Sequence, residues 1–292
     1  MADQQGPVLG PHARRTIEAG GKRLRPLLVL LAAGPPAGED AADVLVRAAA
    51  AVELVHAATL VHDDVLDRSD LRRGVATVFA EAGRDAAVQT GDALFASAFL
   101  LLLENRSADQ VRALTKAGGA LAQGELIQRE DAWNANIDAA RYRLRCELKT
   151  ARLFEAACAL GSSAAGRDPE ELAVFATEVG IAFQMLDDVL DVEGPPERTG
   201  KPRGTDLLDG TVTLPLLVAR DRDPEIASID LRTITTHEQA DALCLRIVAT
   251  GATDEVRRQA LDHVARATAA LPGDERDAAL RAVADSVVAR YA

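Results

Sequence analysis

The chain has 292 residues, 48% of them apolar and only 3% aromatic, with a formal net charge of −12. That acidity repels nucleic acid and anionic membrane faces, so any anionic ligand has to be held by local basic clusters. An aliphatic, aromatic-poor composition favours helix packed on helix, and the length suits one all-α domain over 1–292 with a single extended core.

The start, Met1–Pro11, is polar and carries Gly and Pro. It lacks the basic and apolar parts of a signal peptide and reads as a flexible lead. The longest uncharged apolar stretches, such as Pro26–Ala37 and Phe99–Leu103, fall short of the ~20 residues of a spanning helix. A soluble, cytoplasmic protein is expected. Breaks fall at Ala33-Gly34-Pro35-Pro36, Gly161-Ser162-Ser163, Asp168-Pro169 and the Gly/Pro/charge stretch Gly194–Gly210, with helices between them. Two helices, Ala41–Leu66 and Leu172–Val192, are apolar around most of their circumference and belong in the middle of a bundle. Asp168-Pro169-Glu170-Glu171 reads as an N-cap with Pro at the first helical position. Thr236-His237-Glu238-Gln239 reads as a capping box, and Arg232–Thr236 as a brief strand. Cys146, Cys158 and Cys244 stand singly and are expected to be free, buried thiols.

Both apolar helices end in carboxylates. The first closes on His62-Asp63-Asp64-Val65-Leu66-Asp67, the second on Asp187-Asp188-Val189-Leu190-Asp191, each a DDxxD. Residues four apart share a helix face, so Asp63 with Asp67, and Asp187 with Asp191, form two-carboxylate edges. Three negative charges at the negative end of the helix dipole oppose it. Two charges ~6 Å apart at an effective dielectric of ~20 repel by roughly 3 kcal/mol. A divalent cation removes that cost, and all-oxygen ligation without clustered His or Cys points to Mg²⁺ shared with phosphate oxygens. A calcium loop does not fit, because Asp63–Gly74 lacks the central Gly and terminal Glu of an EF-hand.

Basic residues flank the first motif. Arg68-Ser69-Asp70-Leu71-Arg72-Arg73-Gly74 follows it directly, and Gly20-Gly21-Lys22-Arg23-Leu24-Arg25-Pro26 lies near the N-terminus. Paired glycines let backbone approach an anion, and Lys and Arg supply charge and planar donors for a diphosphate. Together with VELVHAATLVHDDVLDRSDLRRG at Val52–Gly74, GDALF at Gly91–Phe95, LKTARLF at Leu148–Phe154, GIAFQMLDDVLD at Gly180–Asp191 and TGKPRGTDLLDGTVTLPLL at Thr199–Leu217, these segments resemble the trans-isoprenyl diphosphate synthase family.

The resemblance implies an all-α bundle of about ten or more helices around a central apolar cavity, acting as a homodimer. It implies that Gly21, Lys22, Arg25 and His56, helped by Arg73, bind isopentenyl diphosphate. Arg72, Lys149 and Lys201 would grip an allylic diphosphate, with Thr150, Phe183 and Gln184 beside it. Asp63, Asp67 and Asp187 would be principal ligands of three Mg²⁺ ions, supported by Asp64, Asp188 and Asp191. In such enzymes the allylic diphosphate ionises, the carbocation is attacked by the double bond of isopentenyl diphosphate, and the released diphosphate takes the proton. Asp63, Asp67, Arg72, Lys149, Asp187 and Lys201 would carry that chemistry.

Product length is expected to depend on the turns before the first motif, each rising ~5.4 Å. Those positions are Thr59, Ala58, Val55, Val52 and Ala51, none aromatic. Farnesyl-producing relatives typically carry bulky residues at the first two positions, so the resemblance implies a geranylgeranyl or longer product, with Phe95 and Phe99 read as core. Two departures stand out against the family pattern: Thr211 where many relatives carry Lys, and only about twenty residues before Lys22. The rival readings are a class I terpene cyclase, which the second DDxxD disfavours, and a binding subunit of a heteromeric synthase, which tends to lose the acidic motifs.

Overall fold

The computed structural model describes residues 6–194 and 203–289, and they form two compact units. The first comprises 1–118 and 155–171, the second 119–154 and 172–292.

In the first unit, α1 (Gly6–Glu18) and α2 (Leu24–Ala33) precede α3 (Glu39–Leu66) and α4 (Val78–Glu104). The flexible lead expected over 1–11 is thus helical from Gly6 onward. Helix α3 buries Leu45, Ala48, Ala51, Val52, Val55, Ala58 and Val61, which lie around most of its circumference. Their small size lets α4 pack close along its length. Within α4 the chain kinks at Gly83, where φ is 81°.

The basic loop is a hairpin. Strands β1 (Leu71–Arg72) and β2 (Val75–Ala76) pair antiparallel with Arg72 opposite Val75. Arg73 and Gly74 turn at φ 53° and 79°. Two successive positive φ values match the right-handed twist of a tight hairpin. Thr77 then closes the hairpin and starts the next helix: its hydroxyl donates to the Ser69 carbonyl at 2.6 Å and accepts from the Ala80 amide at 3.0 Å.

Helix α5 (Ala108–Glu130) crosses from the first unit's residues into the second's. It is followed by α6 (Ala139–Cys146), a π-helical segment (Glu147–Ala151) and α7 (Arg152–Ala164). Helix α8 (Ala173–Glu193) begins four residues later than the Pro169 start expected from sequence. Asp168 does cap, but only a turn: its Oδ1 accepts from the Glu170 amide and its carbonyl from that of Glu171. The chain reaches helical geometry only past Leu172.

After α9 (Thr205–Leu208), α10 (Leu214–Arg222) and α11 (Pro224–Ala227) come α12 (His237–Ala249), α13 (Ala252–Ala269) and α14 (Asp277–Ala289). The strand expected at Arg232–Thr236 is absent. Residues Leu231–Thr233 form a 3-10 turn instead, because Asp230 captures the Arg232 amide at 3.1 Å. The Thr236–Gln239 capping box is present in both directions. Thr236→Ala is expected to lower stability by about 1 kcal/mol, read as a drop in Tm.

Helices α3 and α4, with 28 and 27 residues, are long and apolar enough by composition to cross a membrane. The shorter uncharged runs seen in the sequence do not reveal this, since isolated charges interrupt long apolar helices. More than half of the most apolar part of α3 is buried inside the protein, as expected for a core helix. The three cysteines are free and buried.

Candidate active site

In the first unit the two basic segments and the first acidic motif converge. The loop before α2 is shaped by Gly20 (φ 88°), Gly21 (φ 134°) and Arg23 (φ 51°). The Arg23 guanidinium ties this loop to α1 and α3 by bonding the Ile17 carbonyl and Glu53. Arg73 reaches back from the hairpin and donates to the Gly20 carbonyl. A Cβ on Gly21 would sit 2.7 Å from the Arg73 guanidinium and would displace it, and the φ of 134° there also favours glycine.

Around His56 this assembly sets Arg25, Arg73, Arg72 and Arg23. Burial, then these four positive charges, hold the imidazole well below its usual pKa, so it stands neutral among cations. Burial likewise draws Arg25 down to about 10, against the pull of Glu53 and with the repulsion of Arg73. Burial followed by Arg23 and Arg72 lowers Arg73. Cations crowded together at this energetic cost form a surface prepared for an anion. Lys22 is exposed on the same loop.

The carboxylates of the first motif are not equivalent. Asp64 is buried, 5% exposed, and pairs with Arg72 Nε at 2.7 Å. Asp63 and Asp67 are half-buried, and the Asp67 amide caps α3 by donating to the Asp63 carbonyl at 2.8 Å. Asp64 thus orients Arg72.

Further back on α3, Ala58, Val55, Val52 and Ala51 are fully buried. The Thr59 hydroxyl donates to the His56 carbonyl at 2.8 Å. Phe95 on α4 stacks on His62 with centroids 6.0 Å apart, and Phe99 is half-buried.

In the second unit the π segment presents Lys149 and Thr150. Extra π turns recur at functional sites because they re-aim the side chains they carry. Glycines make room on two sides: a Cβ on Gly124 of α5 would lie 2.8 Å from the Lys149 amide nitrogen, and one on Gly180 of α8 2.6 Å from Ala151 Cα. Lys149 Nζ is held by Glu125 and, at 3.2 Å, by Gln128 Oε1. Burial pushes the Glu125 carboxyl up, but Lys149 and Arg129 outweigh it and leave it below its usual range.

Thr150 donates to Gln184 Oε1 at 2.7 Å, and Gln184 Nε2 donates to Asp188 Oδ1 at 2.8 Å. Tyr142 donates to Asp188 Oδ2 at 2.6 Å. Asp188, 3% exposed, therefore has both oxygens engaged, and burial raises its pKa to about 6. Phe183 packs near Phe154, with centroids 5.7 Å apart.

Asp187 and Asp191 are half-buried, and Asp191 Oδ2 accepts from the Asp206 amide at 3.2 Å. The Asp206 carboxyl is held well above its ordinary range by burial and then by Asp191, Asp188, Asp187 and Asp209. These crowded carboxylates offer an oxygen-only donor set, which fits a hard divalent cation. Among the described residues no three His, Cys, Asp or Glu side chains are gathered closely enough to hold a metal alone. Magnesium is usually held by one or two carboxylates, with water and phosphate oxygens completing its shell. Lys201 lies outside the described residues.

The polyprenyl synthetase family profile matches residues 7–249. The chain belongs to this family. Octaprenyl diphosphate synthase of Escherichia coli is 40% identical over 206 residues, 70% of this chain and 63% of that protein. Heptaprenyl diphosphate synthase component 2 of Geobacillus stearothermophilus is 43% identical over 225 residues, 75% of this chain and 68% of its own. The crystal structure of polyprenyl synthase from Caulobacter crescentus CB15, complexed with calcium and isoprenyl diphosphate, superposes with a TM-score of 0.92 at 36% identity. It covers 100% of this chain and 92% of that one. Membership in the polyprenyl synthetase family places the chain among prenyltransferases of the all-α isoprenoid synthase fold.

Sequence reasoning missed several residues of this site. Arg23 and Glu53 carry the loop, Tyr142 holds Asp188, Glu125 and Gln128 hold Lys149, and Asp206 joins the second acidic cluster. Arg23, Glu53 and Asp206 lie inside the segments Gly20–Pro26, Val52–Gly74 and Thr199–Leu217 without being singled out there. Tyr142, Glu125 and Gln128 have no such signal and are brought in by helices distant in sequence.

Proposed function

We propose that this chain is a Mg²⁺-dependent trans-prenyltransferase that condenses isopentenyl diphosphate with an allylic diphosphate and releases a geranylgeranyl or longer diphosphate. The observation that carries the reading is the meeting of the two basic segments, where Arg73 donates to the Gly20 carbonyl and Arg72 pairs with Asp64 at 2.7 Å, beside a helix that ends in the first acidic motif. Lys22, Arg25, His56 and Arg73, with the close approach allowed by Gly21, bind the isopentenyl diphosphate anion. Arg72, Lys149 and Lys201 hold the allylic diphosphate. By family resemblance Asp63, Asp67, Asp187 and Asp191 would hold divalent cations, three in all, and these would supply positive charge to the leaving diphosphate.

The chain's own contribution is preorganisation. Arg72 is aimed by Asp64 and Lys149 by Glu125 and Gln128 before any substrate arrives, so little reorganisation is needed as negative charge develops. The buried apolar turns of α3 exclude water from a carbocation. By family resemblance the released diphosphate takes the proton.

The small residues Ala58, Thr59 and Val55 support a long product. Relatives named heptaprenyl, octaprenyl and geranylgeranyl diphosphate synthases lie on the same side. Ala58→Phe is expected to shorten the main product by at least one isoprene unit, measured by chromatography of dephosphorylated products. An unchanged chain length would defeat this part of the reading.

A cytoplasmic homodimer is proposed, with Leu100 and Leu103 on α4, 62% and 59% exposed, available for burial between copies. The relative named as component 2 keeps a second arrangement in view, a chain that turns over only with a partner. Purified protein with Mg²⁺, isopentenyl diphosphate and each allylic diphosphate decides among these. Linear prenyl diphosphate is expected. A cyclised hydrocarbon would make the protein a terpene cyclase, and no turnover without a second protein would make it one subunit of a pair.

A further inference from the structure

The hydrogen bonds of the second unit form one unbroken line. Tyr142 on α6 donates to Asp188 Oδ2, Gln184 Nε2 donates to Asp188 Oδ1 one helical turn earlier on α8, and Thr150 in the π segment donates to Gln184 Oε1, at 2.6, 2.8 and 2.7 Å. The line fixes the direction of every member. Because Thr150 donates to the amide oxygen, the amide nitrogen is left to donate to Asp188. That leaves the second carboxylate oxygen for the tyrosine hydroxyl.

Its ends are anchored. Tyr142 is 2% exposed, and the Arg145 guanidinium lies 5.4 Å from its ring centroid while donating to the Val212 carbonyl. Thr150 is 5% exposed and sits between Lys149 and Ala151, where Gly124 and Gly180 leave no slack. A fully satisfied buried polar line of this kind rigidifies what it joins. Here it joins the acidic end of α8 to the segment that carries Lys149.

We infer that Tyr142 is a positioning residue which, through Asp188, Gln184 and Thr150, couples divalent-cation binding at Asp187 and Asp191 to diphosphate binding at Lys149. The inference rests on the function proposed above and adds to it: Gln184 and Thr150 act inward, on the acidic motif, as links of the relay. Outer groups that orient metal ligands typically change affinity 10–100-fold when removed.

The test is a double-mutant cycle on the full-length protein, using Tyr142→Phe and Thr150→Val, the two ends of the line. Mn²⁺ binding is measured by electron paramagnetic resonance with and without inorganic pyrophosphate. Each single variant is expected to weaken Mn²⁺ binding in the presence of pyrophosphate about tenfold, and the double variant no more than the weaker single, because either change breaks the same relay. Activity of Tyr142→Phe should recover at saturating Mg²⁺ with an unchanged KM for isopentenyl diphosphate, whereas a general loss of structure would move both. Mn²⁺ binding by Tyr142→Phe within twofold of wild type would overturn the inference. So would multiplicative effects in the double variant. If Tyr142→Phe does not fold, Thr150→Val alone decides on the same measure. Wild-type protein that binds no Mn²⁺ with pyrophosphate would instead remove the function on which the inference stands.

Discussion

Asp63→Asn should lower kcat by about 10³-fold, the scale on which single groups that stabilise developing charge act. The substitution keeps size and hydrogen-bonding shape while removing one negative charge at the C-terminus of α3. Its backbone role survives, since the Asp67 amide bonds the Asp63 carbonyl and not its side chain. The loss in kcat should far exceed any change in Tm, because the size, shape and backbone bond of the residue are kept. That gap separates a ligand from a structural carboxylate. Asp187→Asn should behave alike, and a loss of less than tenfold in both variants would remove the metal role from the acidic motifs.

The second large effect concerns Gly180. In the alanine variant the new methyl would stand 2.6 Å from Ala151 Cα and 2.9 Å from its Cβ. Backbone cannot swing aside as a flexible side chain does, so α8 or the π segment has to shift. Lys149, two residues from the clash, moves with it. Displacement of a reactive group by about 1 Å costs about 10²-fold in rate, and Gly180→Ala is expected to lose that much in kcat/KM for the allylic diphosphate. Overpacking lowers stability by about 1–3 kcal/mol, which outweighs the ~1 kcal/mol that alanine gains over glycine in a helix. Differential scanning calorimetry reads the second effect and steady-state kinetics the first. Activity within twofold of wild type would show that the tight π segment does not position Lys149.

Most of the chain's helical layout, its buried thiols and the membership of its motifs in one family are legible from the amino acids. These properties follow from local periodicity, caps and identity at fixed spacing. The capping box at Thr236 and the apolar girth of α3 and α8 need only neighbours within a few turns. The failures have the same explanation. Asp168 could satisfy a nearby amide without starting α8, and Asp230 bent the segment read as a strand. In both places a short side chain competed with the regular backbone pattern over three or four residues.

The two DDxxD motifs are visible in the sequence as matched pairs of carboxylates, and that much the order of residues determined by itself. Their inequality was decided by tertiary structure. Asp64 is buried against Arg72 and Asp188 against Tyr142 and Gln184, whereas the proposed ligands Asp63, Asp67, Asp187 and Asp191 are half-buried. The π turn at Lys149 and the arginines around His56 belong to the same category. A motif specifies which groups are present, but the pKa and direction of each depend on burial and on charges brought from distant segments. Those distances exist only once the helices have packed.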